Sequence, residues 1–205
     1  MAITIRDDRR WTREEYERCV EEGFFHPEAR LELVYGFLYE RSQHSPLHVT
    51  GVQCAWQFLR SLFDHEEGCF IQILAPLALG PDSEPEPDIS VVPGRIRDYF
   101  SAHPTTAILI VEAAEDSLLH DRGLKKSLYA REGIPEYWLM NLIDNCLEVF
   151  RAPQDGVYTQ SQILREEDTV SPLERPEASI KVADLLPFRR SQASKTPTPP
   201  TPTNI

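Results

Sequence analysis

Residues 107–141 read AILIVEAAEDSLLHDRGLKKSLYAREGIPEYWLMN. The run opens as a short, apolar, β-branched strand that is broken by one carboxylate, Glu112. A helical pattern follows in LLHDRGLKKSLYARE, closed by Gly133 and Pro135, and EYWLMN then returns to strand composition. Strand, helix, strand is the signature of a crossover unit. It predicts an α/β protein with a central mixed β-sheet flanked by helices.

On either side of this unit the pattern extends the sheet. CFIQILAPLAL and DISVV upstream and CLEVFRA downstream are short, apolar and bounded by Pro, Gly, Asn or Asp. Before them, Val49, Val52, Trp56, Leu59 and Phe63 recur at helical spacing, which predicts a core-facing helix from about 47 to 63. RLELVYGFLYE reads as a hairpin turning at Gly36. TREEYERCVEEG offers Thr12 and Glu15 as a capping box and Gly23 as a stop for a first helix. Residues 1–190 are expected to form a single domain. Residues 191–205, SQASKTPTPPTPTNI, are Pro/Thr-rich with almost nothing to bury and are expected to be a disordered tail.

Composition narrows the class. With 205 residues and 41% hydrophobic content, the chain suffices for one core. No run approaches the ~18 apolar residues of a membrane span, and the charged start, MAITIRDDRRW, is unlike a signal peptide, so no membrane partner is expected and the cytoplasm is the expected location. Cys19, Cys54, Cys69 and Cys146 are far apart and form no CxxC pair, so they read as reduced core residues. A formal charge of -12 argues against non-specific adhesion to nucleic acid, although a site built on a divalent cation needs clustered carboxylates.

The chemistry concentrates at Asp88, which opens a strand after Pro87, and at Glu112, expected to end its strand. In an α/β sheet, strand ends are where sites collect. Two carboxylates on neighbouring strand ends suit a hard cation such as magnesium. Downstream, Asp121, Lys125 and Tyr129 lie at i, i+4 and i+8 on one stripe of the helix, beside the apolar Leu124 and Leu128. Lys125 therefore faces inward and Lys126 outward. Each signal has a plainer reading: Asp88 as a turn residue, Glu112 as a salt-bridge partner, Lys125 as a snorkelling helix residue. Other constellations are weaker. His44 and His48 have i, i+4 spacing but no HExxH glutamate, so His48 reads as a positioning or structural histidine. Ser117, His120 and Asp121 lack a nucleophile elbow, and Ser117 reads as a helix cap.

EPDISVV, LELVYGFLYERSQHSPLH and the run from LIVEAAEDS to EYWLMN together resemble the Uma-type family, widespread bacterial proteins described as restriction endonucleases. The resemblance spans about residues 12 to 190. It implies the PD-(D/E)xK nuclease superfold, a restriction-endonuclease-like central mixed β-sheet flanked by helices. It also implies Asp88 and Glu112 as metal ligands and Glu32 as a further acidic participant. Where the superfold places its lysine two positions after the Glu, this chain has Ala114, and the resemblance points instead to Lys125 on the following helix. The implied activity is that of a magnesium-dependent endodeoxyribonuclease, with Mn2+ as an alternative to Mg2+ and nucleic acid, DNA above all, as partner; a homodimer would cut both strands. The rival is a catalytically inactive nuclease-fold module that binds nucleic acid or protein.

Overall fold

The computed structural model describes residues 3–4, 9–26, 28–41, 43–63 and 68–187. The expected tail at 191–205 lies outside the described residues. A six-stranded sheet has the order β4-β5-β6-β7-β8-β9. Its strands are β4 (Cys69–Ile73), β5 (Ile89–Pro93), β6 (Leu109–Ala114), β7 (Glu136–Asn141), β8 (Cys146–Gln154) and β9 (Val157–Leu164). All neighbours pair antiparallel except β6 and β7, which run parallel. The expected crossover unit is therefore the parallel pair of a mixed sheet. Its connection is α3 (Leu118–His120), a π-turn (Asp121–Lys125) and α4 (Lys126–Arg131).

Alternation along the strands splits the core into two layers. On one face α2 (Pro46–Phe63) presses Val52, Ala55, Leu59 and Phe63 against Val91, Leu109, Val111 and Trp138, joined by Val182 and Leu185 of α5 (Val182–Leu185). On the other, Leu128 and Tyr129 of α4 pack on Ile110, Tyr137, Leu139 and Phe150. Because Glu112 has the same parity as Ile110 and Ala114, it faces the α4 layer.

The N-terminal part follows its sequence closely. α1 (Arg13–Glu21) starts on the reciprocal Thr12–Glu15 capping box, and Gly23 follows it with φ +69. The hairpin β2 (Leu31–Val34) and β3 (Phe37–Glu40) turns through Tyr35 and Gly36, both at positive φ, and adds the short β1 (Ile3–Thr4) at its edge. Leu33 exchanges backbone hydrogen bonds with Glu84, which ties the hairpin to the loop that leads into β5. Leu33 goes to a small core with Trp11, Tyr16 and Leu38. Glu32, its neighbour, points the other way and is 3% exposed.

Several expectations need correction. Glu112 does not end its strand: β6 runs on to Ala114 beside β7, and only its pairing with β5 stops short of Glu112. CFIQILAPLAL is a strand only as far as Ile73, because Leu74 takes φ +48 and Pro76 has no N–H for a ladder. Val49 is 39% exposed and lies off the core stripe of α2. β9 and the small ribbon of β10 (Thr169–Val170) and β11 (Ile180–Lys181) had no sequence expectation. Of the cysteines, Cys146 is buried and the other three are half-buried; none of the four is in a disulfide. Among the described residues no helix is long and apolar enough to cross a membrane.

Candidate active site

The antiparallel register that pairs Ile89 with Val111 would next oppose Asp88 and Glu112. Pro85 and Pro87 precede this point, and the ladder opens. The Asp88 N–H donates to the side chain of Glu112 (Oε2, 3.3 Å) rather than to a backbone carbonyl, and Asp88 Oδ2 accepts from the N–H of Ala113 at 2.8 Å. The two carboxylates therefore meet where the β5–β6 ladder ends, and each is 2% exposed.

The helical crossover brings the lysine. Across the π-turn the Lys126 N–H bonds to the carbonyl of Asp121, so an extra residue is accommodated in the turn that carries Asp121 and Lys125. Lys125 Nζ lies 2.9 Å from Glu112 Oε1, 3.0 Å from Glu32 Oε2 and 3.9 Å from Asp121 Oδ1. The Tyr129 hydroxyl donates to the same Glu112 oxygen at 2.7 Å. The stripe read from the sequence, Asp121, Lys125 and Tyr129, is buried as a unit, and Lys126 sits further out over the ring of Phe150. Ser117 occupies the N-cap of α3 but does not cap it with its side chain; its hydroxyl donates to Asp121 Oδ2 at 2.5 Å.

Four further residues complete the cluster. Arg41, just after β3, reaches Asp88 Oδ1 (3.3 Å) and Glu86 Oε2 (2.9 Å). His48 Nε2 lies 3.0 Å from Asp88 Oδ2, and its backbone N–H is held by Ser45, which caps α2. The His44 ring stacks on His48 at 4.2 Å between centroids. His120 Nε2 is 3.3 Å from Glu32 Oε1. Asp88 is thus approached from both layers, by α2 and by the hairpin strand end. The structure brings Asp88, Glu112, Lys125 and Glu32 together, and adds Arg41, His48, His120, Asp121 and Tyr129. Of these additions, the His44–His48 spacing and the Asp121 stripe left a mark in the sequence, and His120 stood out only beside Ser117 and Asp121 as a set without a nucleophile elbow; Arg41 left none.

Burial and mutual charge divide the acids. Burial pushes Glu32 up, but Lys125, His120 and Arg41 outweigh it and hold its carboxyl at about 2. Burial also acts against the Asp88 charge, yet the hydrogen bonds from His48 and Ala113 and the Arg41 guanidinium bring it below the usual range. For Glu112 burial wins over Lys125, helped by the charges of Asp88 and Glu32, and its pKa is raised. Asp121 is pushed up to about 8, mainly by burial. Burial disfavours the Lys125 ammonium, but Glu112, Glu32 and Asp121 overcompensate and raise its pKa. Lys125 is therefore a fixed positive charge, not a base.

Glu32, Glu86, Asp88, Glu112 and Asp121 face two permanent cations, Lys125 and Arg41. When all are ionised, three negative charges remain in excess before the histidines are counted. That surplus of hard oxygen donors is the chemistry a divalent ion such as magnesium takes. His44, His48 and Asp88 form a second donor set, with one ligand atom from each lying within 4.8 Å of the others. Imidazole nitrogen suits softer transition ions better than magnesium. Arg30 NH2 lies 3.0 Å from His44 Nε2, so the carboxylate set fits a cation better than the histidine set.

The comparisons with known proteins agree with this architecture. A "putative nuclease belonging to DUF820" from Anabaena variabilis superposes with a TM-score of 0.66 over 85% of this chain and 97% of its own, at 16% sequence identity, which establishes the shared fold. No curated protein matches the sequence. The sequence profile of the Uma2 family, described as "Putative restriction endonuclease", matches residues 13–183, a span that contains every residue of the carboxylate cluster. The chain belongs to the Uma2 family.

Proposed function

We propose that the cluster is the active centre of a divalent-cation-dependent nuclease that hydrolyses phosphodiester bonds in DNA. The observation that carries the proposal is the surplus of buried carboxylates over cations at the mouth of β5. Such a surplus is costly in a folded protein unless it serves a ligand. Asp88 and Glu112 would hold magnesium, with manganese as a substitute. A cation so bound supplies a polarised water and neutralises charge on the scissile phosphate.

The chain's own groups divide the remaining work. Glu112 Oε1 is occupied by Lys125 and Tyr129, which leaves Oε2, met among the described residues only by the Asp88 N–H at 3.3 Å, as the oxygen with lone pairs to spare. Lys125 and Tyr129 would therefore leave Oε2 as the Glu112 oxygen available to a cation. Glu32 anchors Lys125 from the opposite side, so the ammonium is held by two carboxylates and its charge stands close to where a phosphate would gain negative charge. His48 and the Ala113 N–H fix Asp88 in the same manner. Cutting both strands of a duplex would take two such sites, so duplex cleavage is paired in this proposal with a homodimer. In this proposal the protein works in the cytoplasm, where a nucleic-acid substrate is at hand and cysteines stay reduced.

The test is incubation of purified protein with plasmid, single-stranded DNA and RNA in magnesium, manganese or chelator, beside an Asp88→Asn control that exposes contaminating nucleases. Cleavage should require the cation, and Asp88→Asn and Glu112→Gln should each lower it at least about a hundredfold with the fold intact, since both changes remove charge and almost no volume. Cation-independent cleavage, or full activity in either variant, contradicts the proposal.

A further inference from the structure

Beside the carboxylate cluster, and sharing its wall, lies a second cavity of about 240 Å³ that is mostly apolar. Its sides are His44, His48, Val49 and Trp56 of α2 and its approach, and Ile73 and Leu74 at the end of β4. Its volume falls short of the ~300–1,000 Å³ of pockets for drug-sized ligands, so it suits one flat ring system rather than a lipid or a folded segment.

Two contacts tie this cavity to Asp88. From one side, His48 both lines it and touches Asp88 Oδ2 at 3.0 Å. From the other, the N–H of Leu74 donates to the carbonyl of Asp88 at 3.1 Å. Leu74 holds φ +48, a left-handed conformation that costs a bulky residue energy and that clusters at ligand sites. The twist leaves the Leu74 side chain 37% exposed, beside Ile73 at 38% and Val49 at 39%. Three apolar side chains thus line an open rim one residue's reach from the site proposed above. The stacked imidazoles of His44 and His48, 24° apart in plane, and the half-buried Trp56 add ring faces of the kind that bases stack on.

We propose that this cavity receives one unpaired base of single-stranded DNA, seated next to the phosphate held at the Asp88–Glu112 centre. The inference rests on the nuclease reading for the neighbouring phosphate, and it adds a substrate class: a strand whose bases are free to turn outward. In a duplex, a base can reach such a pocket only by leaving its pair and its stack, so single strands are favoured. The acidic protein has few means of binding a phosphate backbone through charge alone, and an apolar base seat gives it a grip that a charge of -12 does not oppose.

The test is a binding measurement in chelator, where no turnover occurs, with a short oligothymidylate, an abasic strand with the same number of phosphates, and the oligothymidylate annealed to its complement. The base-bearing single strand should bind at least about fivefold tighter than the abasic one and than the duplex, the effect expected of one stacked base. It should quench the fluorescence of Trp56, a signal that Trp56→Phe removes. Val49→Glu, at an exposed helix position, should bring the ratio of base-bearing to abasic affinity close to one without unfolding the protein. Equal affinity for the two single strands, tighter binding of the duplex, absence of binding to any strand, or a ratio unmoved by Val49→Glu would each overturn the pocket. A base preference in chelator without cleavage in magnesium would instead sink the nuclease reading and leave the pocket standing, whereas cleavage without base preference would do the reverse.

Discussion

Two buried carboxylates on the same sheet are treated in opposite ways. Glu136 opens β7 and is 0% exposed. It accepts from Arg151 Nε (2.8 Å), from the Trp138 indole N–H (2.8 Å) and from the backbone N–H of Leu173 (2.8 Å). One acid has one guanidinium and two neutral donors, and nothing is left over. Glu112, two residues before the far end of the adjacent β6, shares Lys125 with Glu32 and Asp121 and lies against Asp88. The balanced group holds strands and a loop together. The unbalanced group, at the carboxyl end of the parallel strand, holds more carboxylates than cations, an excess that protons or a bound cation would relieve, and that contrast is the basis for proposing function for one and structure for the other.

The largest effect should separate the adjacent lysines Lys125 and Lys126. Lys125→Met keeps the length of the side chain and removes its charge from between Glu112 and Glu32, so cleavage should fall about a hundredfold or more. Lys126→Ala removes a charge that rests over Phe150 and should change cleavage by less than about threefold, with a loss that salt erases. Equal effects in a cleavage assay would reduce both lysines to a diffuse field.

Next comes stability, where the two acids should part in sign. Glu136→Ala orphans part of Arg151 and two neutral donors and should cost about 3 kcal/mol in chemical denaturation. Glu112→Gln, measured in chelator, relieves burial and like-charge repulsion while Lys125 keeps Glu32, so stability should change by less than about 1 kcal/mol or rise. A loss at Glu112 as large as that at Glu136 would make the cluster a structural network like its counterpart.

A third acid sharpens the contrast with a smaller effect. Burial, then the nearby Glu17 carboxyl, raises Glu84 to about 8 against the opposing pull of Arg13, and no ion pair joins it among the described residues. A carboxyl with a raised folded pKa binds its proton better folded than unfolded. Its contribution is complete below about 4.5 and is lost as pH rises through about 8. Glu84→Gln should therefore be neutral at pH 4 and stabilising by about 1–2 kcal/mol at pH 9, where the buried carboxyl must ionise beside Glu17. Melting curves at the two pH values check it.

How much of this was legible follows from what a side chain does locally. The strands β5 to β8 were visible as short apolar, β-branched or aromatic runs bounded by Pro, Gly, Asn or Asp, and helix α2 because its apolar residues recur at period 3.6. β9 was not, since VYTQSQIL is an edge strand that leaves Val157 and Ile163 exposed; its one signal is the Asp155–Gly156 turn, both residues at positive φ. Glu112 stood out by interrupting an apolar run, and the Asp121–Lys125–Tyr129 stripe followed from helical spacing. The π-turn that seats the first two residues of that stripe had no such pattern. Arg41 meets Asp88 from 47 residues away, a contact that exists only once the hairpin is tied to the loop at Leu33 and Glu84. The roles proposed for Asp88, Glu112, Lys125 and Glu32 began as what the family resemblance implies, and the structure adds the surplus of carboxylates on which that proposal rests.

The most direct test of that surplus is a calorimetric titration of the intact chain with magnesium and with manganese. The unsubstituted protein and Glu136→Gln should bind the cation alike, whereas Asp88→Asn and Glu112→Gln should lose that binding. Indistinguishable isotherms for all four proteins, or no binding by the unsubstituted protein, would contradict the claim that the cluster beside β5 is built for a cation.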